Sequence, residues 1–198
     1  MDNKEPKEIF TSIYDTNKWG NSESRSGSGS TISATKYLIP ELNDLLKRLK
    51  ITSLLDIPCG DFNWMQYCDL SDIEYHGADI VDNLIKSNQH KYPEYGFSVL
   101  DLIKDPLPQV DLVFCRDCLF HFPNNLIVKA LKNICRSKSK YLLTTTFTDN
   151  IPNKDIKTGQ WRHLNLELAP FSFPPPLEII NEKSYKYKSM GLWLISDI

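Results

Sequence analysis

Three aspartates stand where strands are expected to end: Asp56 in LLDIPCGD, Asp79 in YHGADI and Asp101 in SVLDL. An ionised carboxylate offers acceptor oxygens only. The loop after Asp56 holds Pro58, Cys59 and one glycine, Gly60, which permits close backbone approach. Dinucleotide loops place further glycines against a pyrophosphate, and no Lys or Arg stands near this loop, so a pyrophosphate is disfavoured. An acid about 20 residues past such a loop, as Asp79 is, suits the diol of a ribose. Asp101 suits an adenine amino group, with Leu102 packing on the ring. Three acids at successive strand ends fit a ligand with a ribose, an adenine and a cationic amino-acid tail. The bland alternative is turn solvation, for which Asp is common.

The elements that position these acids alternate. ITSLLDI, IEYHGADI, YGFSVLDL, VDLVFCRD and KYLLTTTF read as strands. FNWMQYCDL reads as a short helix, VDNLIKSNQHKY as a second and NNLIVKALKNICR as a third, the last with Leu126, Ala130, Leu131 and Ile134 on one side. Ile32 to Leu49 has helical spacing that Pro40 splits or kinks. Strands alternating with helices predict a parallel sheet. After Phe147 the pattern changes to a loop with GQWRHLN and PFSFPPP, then two strand candidates, LEIINEKSYKY and SMGLWLISDI, expected to pair as an antiparallel hairpin at the sheet edge. The expected organisation is one domain, 1–198: an N-terminal lid with helices over 1–50, a core over 51–147, and a loop plus closing hairpin over 148–198.

Ser22–Thr31, SESRSGSGST, has the composition of a flexible linker. Its rival is a loop folding over a ligand, with backbone N–H groups and hydroxyls as donors. Net charge is −2 in 198 residues, which disfavours a sequence-independent grip on nucleic acid. No apolar run is long enough to span a membrane, and the charged N-terminus MDNKEPKEIF has no signal-peptide core. A cytoplasmic protein is expected. Five cysteines without a secretion signal suggest free thiols, and the lone pair Cys115 and Cys118 reads as small core residues.

LLDIPCGD, the GADI acid, VLDL and VDLVFCRDCLFHFP resemble, in order, the four motifs of class I S-adenosylmethionine-dependent methyltransferases. Pro58 departs from the commoner D-x-G-x-G-x-G loop. The resemblance implies an α/β, Rossmann-like fold with a mostly parallel seven-stranded sheet, a C-terminal antiparallel hairpin and helices on both faces. It implies S-adenosyl-L-methionine as cofactor, held by Trp19, Ser26, Gly27, Asp56, Pro58, Gly60, Asp79, Ile80, Asp101, Leu102 and Arg116. More narrowly, YDTNKWGNSESRSGSGST with GQWRHLNLELAPFSFPPP resembles small sugar O-methyltransferases found near bacterial glycan-building genes and in glycan-assembly proteins of large algal viruses. That implies a sugar hydroxyl as acceptor, with other glycan-assembly enzymes or domains as partners.

Methyl transfer to a hydroxyl needs an aligned acceptor and a base. His121 is the expected base, since its unperturbed pKa suits the task. Asp117 either orients the imidazole, if this piece turns helically, or takes the proton itself. Trp161, Arg162, His163 and Asn165 combine an aromatic platform with hydrogen-bonding groups, as a sugar ring requires. A rival route holds a divalent cation on Asp117, Asp149 and Asn150, although no metal is expected. Other readings remain open: a methyltransferase for protein, RNA or a small metabolite, and a non-catalytic cofactor-binding scaffold.

Overall fold

The computed structural model describes residues 4–198; residues 1–3, the start of the segment read as a lid, lie outside them. Strands β1 (Ser53–Asp56), β2 (Glu74–Asp79), β3 (Gly96–Val99), β4 (Leu112–Cys115), β5 (Tyr141–Phe147), β6 (Glu178–Asn181) and β7 (Lys188–Leu194) form one sheet in the order β3-β2-β1-β4-β5-β7-β6. β1 to β5 are mutually parallel; β7 runs antiparallel to both β5 and β6. The expected hairpin is present, but its second strand is inserted beside β5 and its first forms the edge. Both strands are shorter than the sequence suggests, and residues 182–187 form the connection that brings Glu182 and Lys188 to the site.

Alternation along each strand splits the core in two. Leu54, Phe114, Leu143 and Leu192 face helices α3 (Leu38–Arg48) and α4 (Asp82–Lys91). Leu55, Val113, Leu142 and Trp193 face helix α5 (Asn124–Arg136). Strands covered on both faces read as near-continuous apolar runs, as LVFC does. In α3, Leu38, Leu42, Leu45 and Leu46 make one buried stripe. The stretch 32–49 is split as expected, between a short helix α2 (Ile32–Thr35) and α3, and Pro40 sits in the first turn of α3, where its missing N–H needs no partner.

Two other expectations are corrected. The buried face of α5 is Ile127, Ala130, Asn133 and Ile134, with Leu126 and Leu131 flanking it. Asn133 enters the core because its amide donates to the carbonyls of Leu102 (2.9 Å) and Asp105 (2.8 Å). FNWMQYCDL contains only a 3₁₀ turn, Met65–Tyr67. Phe62, with φ +59°, sits among Tyr75, Tyr92, Tyr95 and Phe97 and pins the backbone out of a helix. A further helix, α1 (Pro6–Asp15), lies within the N-terminal segment read as a lid with helices. All five cysteines are free thiols, and Cys115 and Cys118 are buried. Among the described residues, no helix is long and apolar enough to cross a membrane.

Candidate active site

The strand order reverses between β1 and β4, and a cleft opens beyond the C-terminal ends of β1, β2, β3 and β4, with about 970 Å³ of free space when the open solvent at its mouth is included. Of the residues expected to hold a cofactor, Trp19, Ser26, Asp56, Pro58, Gly60, Asp79, Ile80, Asp101, Leu102 and Arg116 line it, as do Asp117 and His121. Gly27 does not. It has φ +98° and packs on Trp19, where an added Cβ would meet the Trp19 Cβ at 3.4 Å.

The loop after β1 is held by backbone bonds across the sheet: Ile57 N–H donates to Phe114 (2.9 Å) and Cys59 N–H to Ala78 (2.8 Å). Gly60 has φ +55°, a left-handed conformation that favours glycine. Asp79 is buried and accepts from Gly60 N–H (3.3 Å) and Val81 N–H (3.0 Å), one bond per oxygen, so each oxygen keeps a lone pair. Burial raises its pKa to about 6 against these N–H donors. Asp56 accepts from the Tyr75 hydroxyl at 2.7 Å, and burial pushes it up to about 8. Asp101 lies two residues beyond β3, where one oxygen caps Ile103 N–H at 2.8 Å.

The Gly/Ser stretch is not a linker. Asp61, not singled out from sequence, ties it down: its carboxylate accepts from the Ser24 hydroxyl (2.9 Å) and Arg25 N–H (2.8 Å), and its own N–H donates to Ser26 Oγ (2.9 Å). Asn63 donates to the Ser30 carbonyl (3.0 Å), and Arg116 Nη2 to that of Gly29 (2.9 Å). The segment covers the cleft, together with Phe10 and Tyr14 from the first helix.

Asp117 and His121 do not share a helix. Asp117 has φ +53°, and a 3₁₀ turn, Leu119–His121, follows. The Asp117 carboxylate accepts from Lys188 Nζ (2.7 Å) and the Thr145 hydroxyl (3.2 Å) rather than from the imidazole, so it does not orient His121 through a hydrogen bond. Burial opposes its ionisation, but Arg116 and Lys188 outweigh that and hold its pKa down at about 2. His121 Nδ1 contacts the Gln160 carbonyl at 2.8 Å. A carbonyl only accepts, so Nδ1 carries the proton and Nε2 of the neutral ring is the acceptor. Burial lowers the His121 pKa, partly offset by the Gln160 bond and by Asp117. The ring stacks on Trp19 at 5.1 Å.

The four residues expected at a sugar site lie outside the cleft and separate into two kinds. Trp161 is 47% exposed, edge-on to Phe120 and to the exposed Tyr185. Arg162 and Asn165 are buried and hold the loop: Arg162 donates to the Lys154 carbonyl (2.8 Å) and Asn165 Nδ2 to that of Asp149 (2.8 Å). His163 stacks on Phe147 and bonds Asp149. Asp149 also accepts from Ile151 N–H, so Asp149 and Asp117 serve different partners. Among the described residues, no group of three or more His, Cys, Asp or Glu is placed to hold a metal.

Residues 55–140 match the family model described as a methyltransferase domain. The chain carries an S-adenosylmethionine-dependent methyltransferase domain. Among solved structures it resembles magnesium protoporphyrin IX methyltransferase from Synechocystis PCC 6803 with bound SAM, at 14% identity and TM-score 0.65, covering 98% of this chain and 99% of that one. It also resembles 1,6-didemethyltoxoflavin-N1-methyltransferase from Burkholderia thailandensis, at 13% identity and TM-score 0.66, covering 95% and 86%. Likeness at such identities is likeness of fold. Curated proteins give no match.

The cleft of the methyltransferase fits its cofactor by donor chemistry. Asp79 retains acceptor capacity for a ribose diol, Asp101 has one uncapped oxygen for an amino group, and Ile80, Leu100 and Leu102 supply apolar walls. Asp56 offers the oxygen that Tyr75 leaves open to a cationic amine. Sequence reasoning missed Tyr14, Arg25, Asp61, Glu182 and Lys188. Tyr14, Arg25 and Asp61 stand inside motifs quoted above, but Glu182 and Lys188 carry no local signal.

Proposed function

We propose that this methyltransferase transfers a methyl group to a sugar hydroxyl of a glycan. One observation carries the reading: a single peptide links the base to the platform. The Gln160 carbonyl fixes the His121 tautomer, and the next residue, Trp161, presents an exposed ring beside Phe120, which itself touches His121 at 4.5 Å between centroids. Aromatic faces suit the C–H faces of a sugar, and a hydroxyl acceptor needs a neutral base.

When bound, the cofactor supplies an electrophilic methyl on a sulfonium. With the cofactor held by Asp56, Asp79 and Asp101, His121 would take the proton of the acceptor hydroxyl at Nε2 as that methyl was transferred. The imidazolium so formed lies near the Asp117 carboxylate, which stays ionised and stabilises it through space. Trp19 restricts the ring by stacking. In this reading the first 50 residues form the lid, residues 51–147 the cofactor core, and residues 148–198 the acceptor loop and hairpin.

Rate against sugar concentration tests the platform. Trp161→Ala should raise the acceptor KM about tenfold or more, in line with an aromatic contact of about 1.5 kcal/mol, and leave S-adenosylhomocysteine affinity unchanged. An unchanged KM removes Trp161 from the acceptor site.

A further inference from the structure

Four charged side chains meet where the closing hairpin, β4 and the lid converge. Glu182, fully buried, accepts from Arg116 Nη2 (2.5 Å) and Nε (3.2 Å). Lys188 Nζ lies 2.7 Å from Asp117 and 3.3 Å from Glu182. Arg116 Nη1 lies 3.4 Å from Asp117. Two cations and two carboxylates balance, as a buried ionic set must if the loss of hydration is to be offset. Gly29 of the lid closes the group from above: its carbonyl accepts from Arg116, and a Cβ there would stand 2.7 Å from Asp117 Oδ2.

Asp117 and His121 line the same cleft. A carboxylate free to reach an imidazole would pair with it, favour the imidazolium and leave no free lone pair for an acceptor proton. Here Asp117 is turned to Lys188 and Thr145 instead. We propose that Lys188, delivered by the hairpin, is a positioning residue: it holds the Asp117 carboxylate off His121, so that the imidazole remains a neutral base between turnovers. This rests on the reading of His121 as the base. It also accounts for a buried lysine on β7, a strand far in sequence from the cleft.

The groups facing His121 are few. From the segment after β4 there are Asp117 and, behind it, Arg116; from β7 there is Lys188; from the loop after β5 there is the Gln160 carbonyl; from the lid there is the neutral ring of Trp19. Lys188 disfavours the imidazolium and Asp117 favours it.

Nuclear magnetic resonance titration of the His121 ring protons reads this without turnover. Lys188→Met should move the midpoint up by about one pH unit, Asp117→Asn should move it down, and the double variant Lys188→Met/Asp117→Asn should return near the wild type. The double variant also restores the charge balance, so it guards against misfolding of the single ones, and Lys188→Arg should leave the midpoint in place. Equal midpoints in wild type, Lys188→Met and Asp117→Asn would overturn the proposal. The acidic limb of kcat should follow the same shifts. Midpoints that move while the limb stays fixed would keep the role of Lys188 in placing Asp117 and remove His121 as the base.

Discussion

Gly60→Ala separates the backbone requirement of the cofactor loop from its contact with the lid. At φ +55° an alanine costs about 1–2 kcal/mol, whatever surrounds it. Its Cβ would also fall on the Ser26 hydroxyl and stand 3.0 Å from the Ser26 Cβ. A serine has no long arm to swing away, so the lid must shift. Ser26 Oγ then loses its bonds to Asp61 N–H (2.9 Å) and the Asp61 carboxylate (3.2 Å), at about 1 kcal/mol each. The strain acts on the fold and should lower Tm by about 2–8 °C. The lost lid contacts act on closure and should weaken S-adenosylhomocysteine binding about 30-fold, the equivalent of about 2 kcal/mol. Calorimetric titration gives the affinity, and hydrogen exchange across 24–31 gives the lid. Ser26→Ala, which removes the bonds without the strain, should reproduce the affinity loss with a smaller change in Tm. Wild-type affinity together with wild-type lid protection in Gly60→Ala would refute the reasoning.

Asp79→Ala should weaken cofactor-product binding by about 1.5–3 kcal/mol, measured by calorimetry, the range for a hydrogen bond to an ionised acceptor. His121→Ala should lower turnover by about 10²–10⁴ and leave that affinity nearly unchanged, as single-turnover rates and titration together would show. Without cofactor, stability should fall as pH rises from about 4 to 8. The folded-state pKa values of Asp56 (about 8) and Asp79 (about 6) lie above the unfolded carboxylate value, so protonation favours the fold and its benefit is lost as pH climbs through them. Thermal melts at several pH values check this, and Asp56→Asn should flatten the part nearest pH 8.

Much of the core was legible because period and chain position report it together. The five strands β1 to β5 and helix α4 stood out, and α5 matched its sequence stretch to the residue. The failures have physical reasons. FNWMQYCDL has helical spacing, but the aromatic cluster around Phe62 overrode it. The split expected near Pro40 is present, but it falls a few residues earlier, because a proline is tolerated in the first turn of a helix. At the site, residues next to strand ends were readable: the acids, Gly60, Asp117 and His121 all line the cleft. Lys188 and Glu182 were not, since they arrive through the insertion of β7 beside β5, a long-range pairing no local pattern records. Arg162 and Asn165 looked like ligands by type, but a long loop needs buried polar side chains to satisfy its own backbone.

Transfer of a labelled methyl group from S-adenosylmethionine to glycan acceptors of defined sequence, with the product digested to monosaccharides, tests the central claim most directly. Label should appear in an O-methylated sugar, stable to mild base as an ether is, and should fall at least 100-fold with His121→Ala. Label recovered in protein, RNA or a small metabolite and absent from every sugar, from a preparation that binds S-adenosylhomocysteine, would contradict it.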